Sequence, residues 1–250
     1  MRIVAIVQAR LNSSRLKNKV IKTILHKPMI IHQLQRISKS SLINDLILAV
    51  SYQDDLLVDI TKKYGFNVFI GNEDNVLKRF YNVANELYLK NEDIIIRLTG
   101  DCPLMDYNIV DECIRWFLDN DCDYISNFEN PIYPDGLDVE VFDFKTLRKT
   151  YKNAKKKSEL EHVTSYIRNS NLFKTIQINK KPIYPNWRLC VDNIEDFILV
   201  DNIFKHFKTT NFSLEDIISF LEKNKKLLEI NSHIKRNEGY EKSLRKDNDT

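Results

Sequence analysis

Apolar and polar positions fall into alternating blocks over the first part of the chain, in the pattern of a parallel sheet. Residues 3–7 form an unbroken apolar run, which suits a strand buried on both faces. Residues 29–37 carry apolar side chains at helical spacing behind Pro28, a residue suited to a first helical turn. A second apolar run covers 46–50. Asp54 or Asp55 is placed to cap a helix reaching Tyr64, where Gly65 ends it. A strand over 66–70, a helix over 75–89 and a strand over 93–98 complete an alternation that predicts a parallel sheet with right-handed crossovers.

The second half departs from that alternation. A helix over 109–118 leads to a short strand at 123–126 and a loop holding Pro131 and Pro134. The stretch 137–142 reads LDVEVF, with Leu137, Val139 and Val141 on one face, which predicts a half-buried antiparallel strand at a sheet edge. Helices over 144–155 and 159–168, strands over 173–178 and 188–191, and helices over 194–206 and 213–221 follow, the last capped by Ser213 with Asp216 three residues on. The expected organisation is one domain over 1–234, with an excursion at about 130–185, and a polar tail over 235–250.

Composition narrows the class. The 250 residues are 43% hydrophobic and 29% charged, as in ordinary globular proteins. A net charge of +3 is too small to argue for nucleic acid or an anionic membrane as partner. No apolar run approaches the roughly 20 residues that span a bilayer. The chain opens on a core strand rather than a signal peptide. Cys102, Cys113, Cys122 and Cys190 make no CxxC pair, which argues against zinc and for reduced thiols in a cytoplasmic protein.

Chemistry gathers at two places. Directly after the first strand come Gln8, Arg10, Asn12, Ser13, Ser14, Arg15, Lys17 and Lys19, where open α/β sheets bind ligands. Short Ser and Asn side chains let backbone N–H groups approach a phosphate, and the cations supply counter-charge; a solvated basic loop is the plainer alternative. The second place is the segment IIIRLTGD, which leaves Asp101 at a strand end after Gly100, with Asp192 in a similar position after 189–191. Two carboxylates at the edge that carries a basic loop can hold one Mg²⁺ against nucleotide phosphates, or each can cap a helix.

The phrases QARLNSSRL, GNEDNVLKRF, RLTGDCPLMD, YPDGLDVEVF, EHVTSYI and VDNIEDF, in that order, resemble the CMP-sugar synthetases, and most closely the spore-coat polysaccharide type of cytidylyltransferase. The resemblance implies a Rossmann-like, three-layer α/β nucleotidyltransferase that joins CMP from CTP to an acidic sugar and releases pyrophosphate, as a homodimer. It implies that Arg10, Ser13, Arg15 and Lys19 contact the CTP phosphates, with Gln8, Ala9, Leu11, Asn12, Ser51, Thr99 and Gly100 completing the nucleotide site. By the same resemblance Asp101 and Asp192 coordinate Mg²⁺, and Arg10, Lys19 and Asp101 are the catalytic set. Lys17-Asn18 stands where the family has Pro-Gly, and RLTGDCPL where relatives have QGDEPL.

On the acceptor side, Asp135 and Asp138 could bind hydroxyls or an amine, or lie on a solvated strand face. Arg79 and Arg97 could meet an anionic acceptor, and a buried Arg97 requires a partner. His162 could titrate near neutrality and assist proton transfer. Competing functions are a cytidylyltransferase that makes a CDP-type product from a phosphorylated alcohol or amide, a glycosyltransferase using Asp121-Cys122-Asp123 as a DxD, and a non-catalytic nucleotide-binding module.

Overall fold

The computed structural model describes residues 1–236. Its elements run in chain order as β1 (Ile3–Gln8), a 3₁₀ turn (Lys19–Ile21), β2 (Thr23–Ile24), β3 (Lys27–Pro28), α1 (Met29–Ile37), β4 (Asp45–Ser51), α2 (Asp55–Lys63) and β5 (Asn67–Gly71). They continue with α3 (Val76–Glu86), β6 (Ile94–Thr99), α4 (Tyr107–Asp119), β7 (Tyr124–Ser126), β8 (Glu140–Asp143), α5 (Phe144–Asn153), α6 (Lys157–Glu161) and α7 (Ser165–Asn169). Last come β9 (Thr175–Gln177), α8 (Ile194–Phe207), α9 (Leu214–Lys223) and α10 (Lys226–Glu229).

One sheet holds seven of these strands in the order β5-β4-β1-β6-β8-β7-β9, and β2 and β3 form a separate hairpin. Strand β1 pairs in parallel with β4 on one side and β6 on the other, Ile6 lying across from both Ile47 and Arg97. Val4 to Val7 are fully buried because helices cover both faces. Ala5 and Val7 pack towards α1, α2, α4, α8 and α9, and Val4 and Ile6 towards α3, α5 and α7. The connections reverse direction on either side of β1, so a crevice opens at its carboxyl end, where doubly wound sheets take their ligands.

Four expectations are corrected. The stretch 137–142 is a strand only from Glu140, and β8 lies inside the sheet, antiparallel to β6 and β7, rather than at an edge. Residues 137–139 lie outside the strand, where the Asn127 side chain serves them in place of a neighbouring strand: it accepts from the Val139 N–H at 2.8 Å and donates to the Leu137 carbonyl at 2.9 Å. Residues 188–191 are not a strand; a single bridge pair joins Asp135 and Arg188. The helix expected over 159–168 is broken between α6 and α7 by Val163, whose φ of 54° no helix can accommodate. Asp54 precedes α2 but makes no side-chain cap; its carboxylate is spent elsewhere. The expected polar tail falls mostly outside the described residues.

Candidate active site

The loop after β1 is shaped by its own backbone. The Leu11 carbonyl accepts from the N–H groups of Ser13 (2.9 Å) and Asn18 (3.2 Å), folding the loop back on itself. Asp54 pins it from below, one carboxylate oxygen accepting from the Leu11 N–H at 3.1 Å and the other from the Ser51 N–H at 3.3 Å. Asn18 takes a left-handed conformation, which asparagine tolerates, and the chain turns so that Lys19 points inward. Gly100 brings the next loop against this one. A Cβ there would lie 2.8 Å from Ala9 Cβ, and the Gly100 N–H donates to the Gln8 carbonyl at 2.8 Å.

Lys19 joins the two carboxylates. Its Nζ donates to Asp101 Oδ2 at 2.9 Å and to Asp192 Oδ1 at 2.7 Å, and Arg15 reaches the same Asp192 oxygen at 2.8 Å. Burial works against the charge on Lys19, but the two carboxylates outweigh it and hold the ammonium well above its ordinary range. Burial alone would raise the Asp101 carboxyl; the Lys19 charge, with hydrogen bonds from Thr99, Lys19 and Cys102, holds it well below the usual range instead. The two carboxylate loops are also stitched together by the Val191 N–H, which donates to the Asp101 carbonyl at 2.8 Å.

Arg188 is the hub beneath them, and sequence reasoning missed it. It donates to Asp135 at 2.6 Å, to Asp192 Oδ2 at 2.9 Å and to the fully buried Asp196 at 2.9 Å. Asp196 in turn accepts from the N–H groups of Asp192 and Asn193 at 3.0 Å, fixing the backbone that carries Asp192. The available signal was a guanidinium four residues before one carboxylate and eight before another. Gly136 locks the other side: its φ is 102°, and a Cβ would lie 2.5 Å from the Cys190 nitrogen.

These groups line one cavity of about 570 Å³. Of the expected site residues it gathers Gln8, Ala9, Arg10, Ser13, Arg15, Lys19, Arg79, Arg97, Thr99, Gly100, Asp101, Asp135, Asp138, His162 and Asp192. Leu11, Asn12 and Ser51 are not among its lining residues: Leu11 packs on the core, Asn12 faces solvent, and Ser51 is buried with its hydroxyl accepting from the Gln53 N–H. Arg97 has the partner that burial demanded, an ion pair with Glu140 directly across the β6–β8 ladder, plus a bond to Gln8 at 3.1 Å. Glu140 is thus buried and bonded, also accepting from the Tyr124 hydroxyl at 2.7 Å, and not on a solvated face. Asp138 pairs with Arg236, and burial together with Asp135, Glu140 and Asp101 pushes its carboxyl up to about 7 against the pull of Arg236. His162 does not titrate near neutrality: burial and the Arg97 charge push it down to about 4, so it is neutral there. Asp121 and Asp123 lie away from this cavity, Asp121 being exposed and paired with Lys174 at 2.9 Å.

Fold and site together define a nucleotidyltransferase. A basic loop and a pair of carboxylates meet at the carboxyl end of a central parallel strand. The chain belongs to the cytidylyltransferase family, whose pattern it matches over residues 4–235. It is 40% identical over 242 residues to the uncharacterized protein MJ1063 of Methanocaldococcus jannaschii, covering 94% of this chain and 97% of that one. It is 30% identical over 233 residues to the spore coat polysaccharide biosynthesis protein SpsF of Bacillus subtilis, covering 89% and 95%. Over about half of each chain (52% and 51%) it is 34% identical to the 3-deoxy-manno-octulosonate cytidylyltransferase 2 of Hydrogenovibrio crunogenus. Among solved structures, a cytidylyltransferase from Leptospira borgpetersenii superposes with a TM-score of 0.85 at 28% identity, covering 91% of this chain and 97% of that one. No helix among the described residues is long and apolar enough to cross a membrane.

Proposed function

We propose that this enzyme transfers CMP from CTP to an acidic sugar, of ulosonic or nonulosonic type, and releases pyrophosphate for surface polysaccharide or capsule synthesis. The observation that carries this reading is the convergence of Lys19, Asp101 and Asp192 on one point beside the Arg10–Arg15 loop. In the reaction an acceptor hydroxyl oxygen attacks the α-phosphorus in line as the bond to pyrophosphate breaks, which calls for positioning and charge neutralisation more than a covalent nucleophile. Arg10 and Arg15 supply planar, bidentate donors for the phosphates, and Lys19 a mobile point charge able to turn from the carboxylates to the nucleotide. Asp135 and Asp138 line the same cavity, and in this reading they accept from the sugar hydroxyls. The names of the spore-coat and octulosonate relatives support a sugar acceptor.

Mg²⁺ fits the carboxylate pair. Asp101 Oδ2 and Asp192 Oδ1 both lie within 2.9 Å of one atom, Lys19 Nζ, so they point at a common spot with hard oxygen donors. Among the described residues no group of three or more His, Cys, Asp or Glu is placed to hold a metal, so nucleotide oxygens and water would complete the shell, as Mg²⁺ prefers. When bound, Mg²⁺ would offset charge building on the α-phosphoryl and leaving groups. We take the protein to be a cytoplasmic homodimer joined through the excursion at about 130–185, which a sedimentation measurement tests directly.

The deciding experiment is pyrophosphate release with each of the four nucleoside triphosphates and Mg²⁺, against a panel of acidic sugars and phospho-alcohols, repeated on Asp101→Asn. CTP-dependent release that needs an acidic sugar and collapses in the variant supports the reading. Release with a phospho-alcohol alone overturns the acceptor class.

A further inference from the structure

Arg79 lines the cavity as a buried cation that makes no ion pair or side-chain hydrogen bond among the described residues. It is only 2% exposed, yet its Nε and Nη1 have no hydrogen-bond partner among the described residues. It lies in the first turn of α3, the end at which the helix dipole disfavours a cation. Arg10 adds like-charge repulsion. Asp54 and Glu73 attract it only at a distance, and both Asp54 oxygens are already committed to the N–H groups of Leu11 and Ser51. Burial outweighs these attractions and brings the guanidinium down to about 10. The position is nevertheless built for it: at Gly71 a Cβ would lie 3.0 Å from Arg79 Cγ, so the missing side chain leaves the channel through which the arginine stem runs.

A buried guanidinium left without a partner destabilises the fold, and proteins keep such a group where a ligand completes it. We propose that Arg79, beside Arg10, forms a preformed oxyanion subsite, which takes a phosphoryl group of the nucleotide or the carboxylate of the acceptor. The subsite rests on the reading above only in taking the cavity as the place where nucleotide and acceptor meet. A guanidinium donates along fixed in-plane directions and pairs with planar or tetrahedral oxyanions alike. Glu161, which reaches Arg10 at 3.5 Å on the exposed rim, leaves that cation able to turn inward.

The test measures equilibrium binding of inorganic triphosphate, CTP and 3-deoxy-manno-octulosonate to wild type, Arg79→Met and Arg79→Lys, together with thermal melting of each ligand-free protein. Arg79→Met is expected to melt higher than wild type, since an unsatisfied buried charge is gone, whereas a purely structural arginine would lower it. If the oxyanion is the nucleotide's, triphosphate and CTP both weaken by about ten- to a hundredfold in Arg79→Met while the sugar acid holds. If it is the acceptor's, the sugar acid alone weakens, and Arg79→Lys recovers part of the loss in either case. Unchanged binding of all three probes overturns the proposal. So does a loss of CTP with triphosphate retained, which would mark a contact to the base, and so does a ligand-free Arg79→Met that melts lower or fails to fold. Because triphosphate binding and melting need no turnover, these outcomes stand even if no acceptor yields pyrophosphate.

Discussion

Lys19 Nζ sits 2.7 Å from Asp192 Oδ1, although 173 residues separate them in sequence. The lysine is the counter-ion of a half-buried carboxylate pair. Lys19→Met leaves Asp101 and Asp192 facing each other with less compensation, and the ligand-free protein should lose about 3 kcal/mol at neutral pH, read from urea unfolding. The same variant should bind Mg²⁺ more tightly, measured by calorimetry, because the ammonium no longer competes for the two oxygens, with only Arg15 left on one of them. Equal Mg²⁺ affinity in variant and wild type would contradict a shared site.

Arg188 gathers Asp135, Asp192 and Asp196 with bonds of 2.6–2.9 Å. Arg188→Gln should therefore destabilise by about 3–5 kcal/mol, since it strands buried charge rather than merely removing a contact. Arg188→Lys should not restore the wild-type unfolding midpoint, because one ammonium cannot satisfy three directions fixed by a planar fork.

Two groups lining the cavity pull the pH dependence of stability in opposite senses. His162 falls from 6.5 in the unfolded chain to about 4 when folded, so its contribution is present above 6.5 and is lost as pH falls towards 4. Asp138 rises from 3.8 to about 7, so its contribution is present below 3.8 and is lost as pH climbs through 7. The two slopes offset each other between pH 4 and 6.5. His162→Gln should make stability fall with rising pH across that window, and Asp138→Asn should make it rise more steeply than in wild type. Unfolding free energies at pH 4.5 and 6.5 decide the matter, and parallel curves for both variants would contradict these environments.

Gly136→Ala combines a left-handed φ of 102° with a Cβ placed 2.5 Å from the Cys190 backbone. The loop bearing Asp135 and Asp138 must then shift. A loss of about 1–3 kcal/mol is expected, together with a higher KM for the acceptor and little change for CTP. A stability loss with both KM values unmoved would separate this turn from the acceptor subsite.

The apolar runs at 3–7, 46–50 and 93–98 were legible because a strand buried on both faces needs no information beyond its own residues. The basic loop and Asp101 were legible for a related reason: strand ends announce themselves by an abrupt change to polar residues. What was hidden depends on pairings across the chain. The apolar trace at 189–191 looks like a strand, but its neighbours Arg188 and Asp192 are organised by ion pairs, and only one bridge forms. The period-2 pattern at 137–142 was real, yet Asn127 takes the place of a neighbouring strand for its first half. The break at Val163 follows no local signal; on its far side Thr164 reaches Glu140 on β8, an interaction that joins distant parts of the chain.

The bonds from Lys19 to carboxylates 82 and 173 residues further on also bear on how the molecule comes into being. A chain emerging from the ribosome can complete β1 and its basic loop early, but it has no second carboxylate to set against the lysine until Asp192 has followed and docked. Nucleotide affinity should thus appear late and all at once during synthesis. In cells, CTP would act as a selective stabiliser of finished molecules, leaving truncated products to proteolysis.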